Sequence, residues 1–202
     1  MSSRHVARWS LLLASSLLPL RSLATSVVAP QFTDLVGEAD YVVRAVVTSV
    51  DSAWRENDGH RYIGTKVGLD VLEVIKGTPP RPLVLDFVGG RVGNQIMRIE
   101  GAPQFHVGDE AVFFVQGNGQ QVTPLVGMMH GLYPIVESPR TGKRYAVRSN
   151  GMPLYSENDV ALPMTRYDPS REPGADPAPM TAEDFIRRIR KAGPGTRRSM
   201  AP

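Results

Sequence analysis

Residues 41–77, YVVRAVVTSVDSAWRENDGHRYIGTKVGLDVLEVIKG, constrain the fold of this chain more than any other stretch. Two runs rich in Val, Ile and Thr flank a polar connection containing Asp58-Gly59, the composition of two antiparallel strands joined by a turn with positive φ. In the second run Ile63, Thr65, Val67, Leu69 and Val71 share one parity while Lys66 and Asp70 take the other, the period-2 pattern of a half-buried strand. The phase then slips, because Leu72 and Val74 are apolar and Glu73 is polar, so the buried parity should pass from odd to even near Val71 and Leu72. One extra residue at a β-bulge produces such a slip and bends the strand, the device by which a small barrel turns its corners. The first run, residues 41–50, is apolar on both parities apart from Arg44, Thr48 and Ser49, as for a strand covered on both sides over part of its length. The hairpin thus predicts a mainly all-β chain built on a small antiparallel Greek-key barrel, with an ordinary hairpin in a β-sandwich as the alternative.

The remaining chain supplies short strands and many breaks. Thr33 is a candidate cap for one helical turn ahead of the hairpin. Leu83, Leu85 and Phe87 alternate cleanly in a third strand, residues 95–100 read as a short edge segment, and residues 111–115 form a nearly continuous apolar run typical of a buried strand. Asn118-Gly119 signals a hairpin, and a last one is expected around residues 138–142, pairing 133–137 with 143–148. From 149 to 180 the composition turns to Pro, Asp, Ser and Arg, a linker pattern. Thr181, Glu183 and Asp184 then open a short helix that ends in basic residues before Gly193-Pro194.

At the other end, Arg4, His5 and Arg8 precede an apolar run that reaches Leu20, and small residues follow at 24–26; this is the layout of an export signal over residues 1–26. Those residues carry three arginines and no acid, so their removal takes the 23 basic residues to 20, matching the 20 acidic ones. A chain of balanced charge is a poor fit to nucleic acid, whose binding rests on phosphate neutralisation, and no nucleic-acid partner is expected. No stable membrane insertion is expected after signal cleavage either, since no other segment approaches a spanning length. The protein should be exported, to the periplasm or outside the cell. It contains no cysteine, which excludes disulfide staples, thiol nucleophiles and cysteine-ligated zinc.

No motif names a chemistry. Gly89-Gly90-Arg91-Val92-Gly93 lacks the helix that a phosphate cradle needs behind it. His60, His106 and His130 fall in predicted turns without metal-ligand spacing, no serine has a nucleophile-elbow setting, and Asp109 and Glu110 alternate across a strand rather than converging. Neither cofactor nor metal is expected. Aromatic side chains near strand ends commonly make partner contacts, so the candidate binding residues are Trp54, Arg55 and Tyr62 on the hairpin arm, with His106 and His130 on loops.

Four segments, ADYVVRAVVTSV (39–50), KVGLDVLEVIKG (66–77), GAPQFHVGDEAVFFV (101–115) and GMMHGLYPIV (127–136), sit in an order over about 32–147 that resembles a family of uncharacterised bacterial exported proteins. Within them Glu73, Val74, Lys76 and Gly77, followed by Phe105 and residues 107–110, are similar to the pattern of the oligosaccharide-binding-type (OB) barrel of netrin-like and metalloproteinase-inhibitor-like (TIMP-like) domains. The resemblance implies an OB-like barrel, taken over 27–148; composition adds the linker at 149–180, the helix at 181–193 and a disordered tail at 194–202. Tissue-type metalloproteinase inhibitors act through a disulfide-tethered cysteine that is absent here, so their inhibitory residues do not carry over. The expected function is a non-catalytic binding module that recognises a protein partner as yet unidentified. The alternatives are an inhibitor or chaperone of a secreted metalloprotease, and a hydrolase using His106, His130 and Asp109.

Overall fold

β1 (Tyr41–Asn57) and β2 (His60–Lys76) form the expected hairpin in a computed structural model that describes residues 29–139, 141–164 and 178–193. Asp58 and Gly59 both have positive φ, 50° and 74°, as a two-residue turn matching the twist of its strands demands. Opposite residues in an antiparallel pair point to the same side of the sheet. The β1–β2 register skips Thr48 in β1 and Leu72 and Ile75 in β2, so three bulges curl this ribbon. One falls where the phase slip placed it. Val71 opposes Ala45 and Val74 opposes Val43, so odd and even positions of β2 do come to share a face. That face is open at this end, however, because β3 (Leu83–Val88) reaches only as far as Leu69, leaving Val74 36% and the bulged Leu72 51% exposed.

After β3, a two-stranded flap is formed by β4 (Gly90–Val92) and β5 (Gln95–Met97). The main sheet then gains β6 (Glu110–Val115), β7 (Leu132–Glu137) and β8 (Arg144–Ala146) in the antiparallel order β3-β2-β1-β6-β7-β8. β6 returns by a long connection to lie beside β1, the Greek-key arrangement. The mainly-β antiparallel class holds, but the expected barrel closure does not, since β3 and β8 remain the two ends of an open sheet. A loop occupies the place a closing strand would take. Asn118 accepts from the Asp86 N–H at 2.9 Å and donates to the Val84 carbonyl at 2.8 Å, and the Val88 N–H donates to the Val122 carbonyl at 2.8 Å. Asn118-Gly119 therefore turns a loop held to β6 by the single bridge Val115–Leu125, rather than a laddered hairpin.

The sheet separates two cores. Val43, Val47, Val67, Leu85 and Phe113 fill the inside of the curl. The opposite face carries Val42, Val112 and Phe114 and is covered by α1 (Phe32–Glu38), α2 (Ala182–Ala192) and a 3₁₀ turn at Glu157–Ala161. β6 is thus buried on both sides, which is why its sequence shows no alternation. α2 begins where its acids predicted, with Thr181 accepting from the Asp184 N–H at 3.1 Å. It docks through Phe185, whose ring centroid lies 4.8 Å from that of Tyr133 and 6.2 Å from that of Phe114. α1 starts at Phe32 after Gln31, so Thr33 lies inside it and is not its cap.

Residues 149–164, grouped with the linker in the sequence, are packed instead. Leu154 and Val160 are fully buried, and Ser156 and Asp159 cap one another's backbone. The apolar residues that do this are few among Pro, Ser and Asp, which is why composition pointed to a linker. The expected signal segment, the expected tail and the middle of the Pro-rich stretch lie outside the described residues. Among the described residues no helix is long and apolar enough to cross a membrane.

Candidate binding surface

The five candidate residues go to three places. Beyond the Thr48 bulge the even positions of β1 turn to the concave side of the sheet, so Trp54, opposite Ile63, shares a face with Ser52 and Val50. Trp54 is partly exposed, and the Arg61 guanidinium lies 4.4 Å from its ring centroid, a cation–π contact. Arg55 and Tyr62 oppose one another on the other face. There Arg55 lies flat over Gly64, where a Cβ would come within 2.6 Å of the Arg55 Cδ. The expected Trp54, Arg55 and Tyr62 patch is therefore two surfaces back to back, since neighbouring strand positions point to opposite sides.

His106 sits on an exposed turn that Asp109 ties together, its carboxylate accepting the His106 N–H at 2.7 Å and lying 3.3 Å from the imidazole Nδ1. His130 is not a loop contact at all. It is 4% exposed, in the 3₁₀ turn Met128–Gly131, beside Arg148 and hydrogen-bonded to the Val160 backbone. Burial, reinforced by the Arg148 charge, pushes its pKa below the ordinary histidine value. Its sequence neighbourhood, Met128 to Gly131, reads as a turn, and its interior place comes with distant partners, the Arg148 guanidinium and the Val160 backbone. His130 thus stands apart from the exposed turn that holds His106 and Asp109, and among the described residues no group of three His, Asp or Glu side chains is placed to hold a metal.

What the structure does assemble around Trp54's face is a groove of about 530 Å³. The outer hairpin gives it Val50, Ser52 and Thr65, the flap arches over it, and residues 98–106 close the far side, with Phe105 and His106 at the rim. A polar chain fixes the flap's root. Thr65 donates its hydroxyl to the Gly89 carbonyl at 2.6 Å, so Ser52 donates to Thr65 at 2.8 Å. Gly90, at φ 134°, passes so close that a Cβ would sit 2.2 Å from the Thr65 hydroxyl, so this glycine marks a close backbone crossing. Arg91 and Arg98 against Glu100 give the lining a positive balance. Sequence reasoning missed Phe105 and these arginines, which lie on segments without periodicity.

Phe105 also floors a second cavity of about 560 Å³ at the start of β6. Its ring is 4.9 Å from Phe87 and 6.2 Å from Phe113, so it plugs the inner core between the two cavities. Beside it Glu110 accepts from Arg44 at 2.6 Å and pairs with Arg144. Burial alone would raise the Glu110 carboxyl, but the hydrogen bonds from the two arginines outweigh it and hold the pKa below its ordinary value.

Several residues of the motifs that carried the resemblance hold the fold together. Lys76 donates to the carbonyls of Val36, Gly37 and Ala39 at 2.5, 3.2 and 2.7 Å, closing the C-terminal end of α1. Gly77, at φ 74°, crosses against Asp40 and Tyr41 with no room for a side chain. Glu73 pairs with Arg190 of α2, and Gly108 donates to the Val47 carbonyl at 2.9 Å to extend the β1–β6 ladder. No family model and no curated protein matches the chain.

Proposed function

We propose that this protein is an exported, non-catalytic binding module that recognises a protein partner through the concave face of its outer hairpin. The observation that carries the reading is the continuity of Trp54, Ser52 and Val50 with the groove under the flap, an aromatic anchor beside a cavity with apolar and cationic walls. A partner segment with an apolar side chain for the groove and acidic groups for Arg91 and Arg98 has the matching chemistry. Arg55 and Tyr62 belong to the other face and His130 to the interior, so the surface is redrawn around Trp54 and His106 with the groove between them.

The test is affinity capture from the producing organism's periplasm and medium, using the unaltered protein, Trp54→Ala, Arg98→Glu and Tyr62→Ala. The expected result is one protein retained by the unaltered chain and by Tyr62→Ala, and lost with Trp54→Ala and Arg98→Glu. Retention that ignores Trp54 and Arg98, or no specific retention, overturns the reading.

A further inference from the structure

The outer half of β1 has an unused edge. A two-residue turn makes Asn57 and His60 a hydrogen-bonded pair, so the odd positions from Asn57 back to Ser49 bond across to β2. The N–H and C=O groups of Val50, Ser52, Trp54 and Glu56 therefore point to the opposite side. On that side the ladder to β6 ends with Val47, which bonds to Asp109 and Gly108, and among the described residues no backbone partner takes up the four residues beyond. Exposed edges are commonly blunted by proline, by charged side chains, lysine above all, or by a covering segment. Residues 50–57 contain neither proline nor lysine, their charges Asp51, Arg55 and Glu56 are of both signs, so a partner edge can match them, and Val50, Asp51, Ala53, Glu56 and Asn57 are exposed.

We propose that this edge pairs antiparallel with the same edge of a second copy of the chain, about a two-fold axis at Ala53. The argument for a second copy is the distribution of charge. Pairing across that axis sets Val50 against Glu56 and Ser52 against Trp54 as hydrogen-bonded pairs, which is the parity the backbone requires. It then sets Asp51 of each copy directly opposite Arg55 of the other, in the closer non-hydrogen-bonded positions where opposite charges are favourable once the Arg55 side chain swings from Gly64 to the partner strand. Moving the axis to Ser52 or to Trp54 keeps the backbone bonds but puts Asp51 opposite Ala53 or Asn57, so the charges select one register. The closed two-fold arrangement uses the edge completely and leaves none to propagate. The partner surface and the edge share Val50, Ser52 and Trp54 but use different groups, side chains toward the groove and backbone toward the edge, so each is tested by its own variants.

The chain has no cysteine, which makes the register directly testable. Cα atoms of a non-hydrogen-bonded antiparallel pair lie about 4.5 Å apart, within disulfide reach. In protein purified from cells that make the full-length chain, Ala53→Cys should give a disulfide-linked dimer on mild oxidation. Asp51→Cys alone and Arg55→Cys alone should not, while a mixture of these two should cross-link. In sedimentation, Asp51→Arg or Arg55→Asp should weaken self-association, and the double exchange should restore it. Circular dichroism on each variant separates this from misfolding. Absence of cross-linking at Ala53, equal cross-linking at all three positions, or a chain that stays monomeric up to its highest soluble concentration overturns the proposal. If Trp54→Ala abolishes partner capture while Ala53→Cys fails to cross-link, the partner reading stands and the pairing falls.

Discussion

The two halves of the β1–β2 hairpin are continuous in backbone and opposite in circumstance. In the inner half Val42 and Val43 are completely buried on opposite faces, one under the helices and one inside the curl. β6 pairs along the inner edge from Tyr41 to Val46. In the outer half one face is partly roofed by the flap, the other is open, and among the described residues no strand lies along one edge. The same hydrogen-bonded ribbon is therefore a foundation at one end and a reach at the other. Local opening free energies follow how much apolar area and how many protected bonds surround a segment, so the inner half should open only with the whole protein and the outer half on its own.

Removing what covers the inner half should have the largest effect. Phe185 is fully buried against Tyr133, Phe114 and Phe32, and Phe185→Ala should cost about 3–5 kcal/mol, read as a fall in the denaturant midpoint. If the loss is much smaller, α2 is an accessory and the inner half does not depend on it.

Acid should act on the same region next. The folded state depresses the pKa of His130, so between its ordinary value of 6.5 and its lower folded value the unfolded chain binds more protons. The neutral-histidine contribution is thus complete above pH 6.5 and is lost as pH falls through the folded value. Glu110, also depressed, adds a second loss on the acid side of 4.5. His130→Gln should flatten the first part of the pH–stability curve and leave the second. An unchanged slope would mean that another group titrates there.

The smallest effect belongs to the outer half. Trp54→Ala loses the Arg61 contact and the burial of a half-buried ring outside both cores, so stability should drop by about 1–2 kcal/mol, while hydrogen exchange at Arg55 and Asn57, which bond across to β2, accelerates and exchange at 41–47 does not. A loss comparable to that of Phe185→Ala would erase the distinction between the two halves.

Sequence reasoning located the hairpin, its turn, the bulge near Leu72 and the start of α2, because each depends on neighbours within a few residues: strand alternation, a glycine with positive φ, a capping threonine. It misread Asn118-Gly119, where a side chain takes the place of a strand, and it misplaced His130, whose burial comes from residues some 20–30 positions later in the chain. Of the candidate surface, Trp54 and His106 were legible as exposed or loop residues. The separation of Arg55 from Trp54 follows from strand parity, but the groove between β1, the flap and Phe105 required segments that carry no periodic signal. By itself the sequence determined the β class, the Greek-key hairpin at its centre and the absence of any cysteine chemistry. Only the tertiary structure decided that the sheet stays open, that residues 149–164 and α2 complete the core, and which face the groove occupies. Closure and burial depend on which distant segments fill a given edge or face, and local pattern carries no record of that choice.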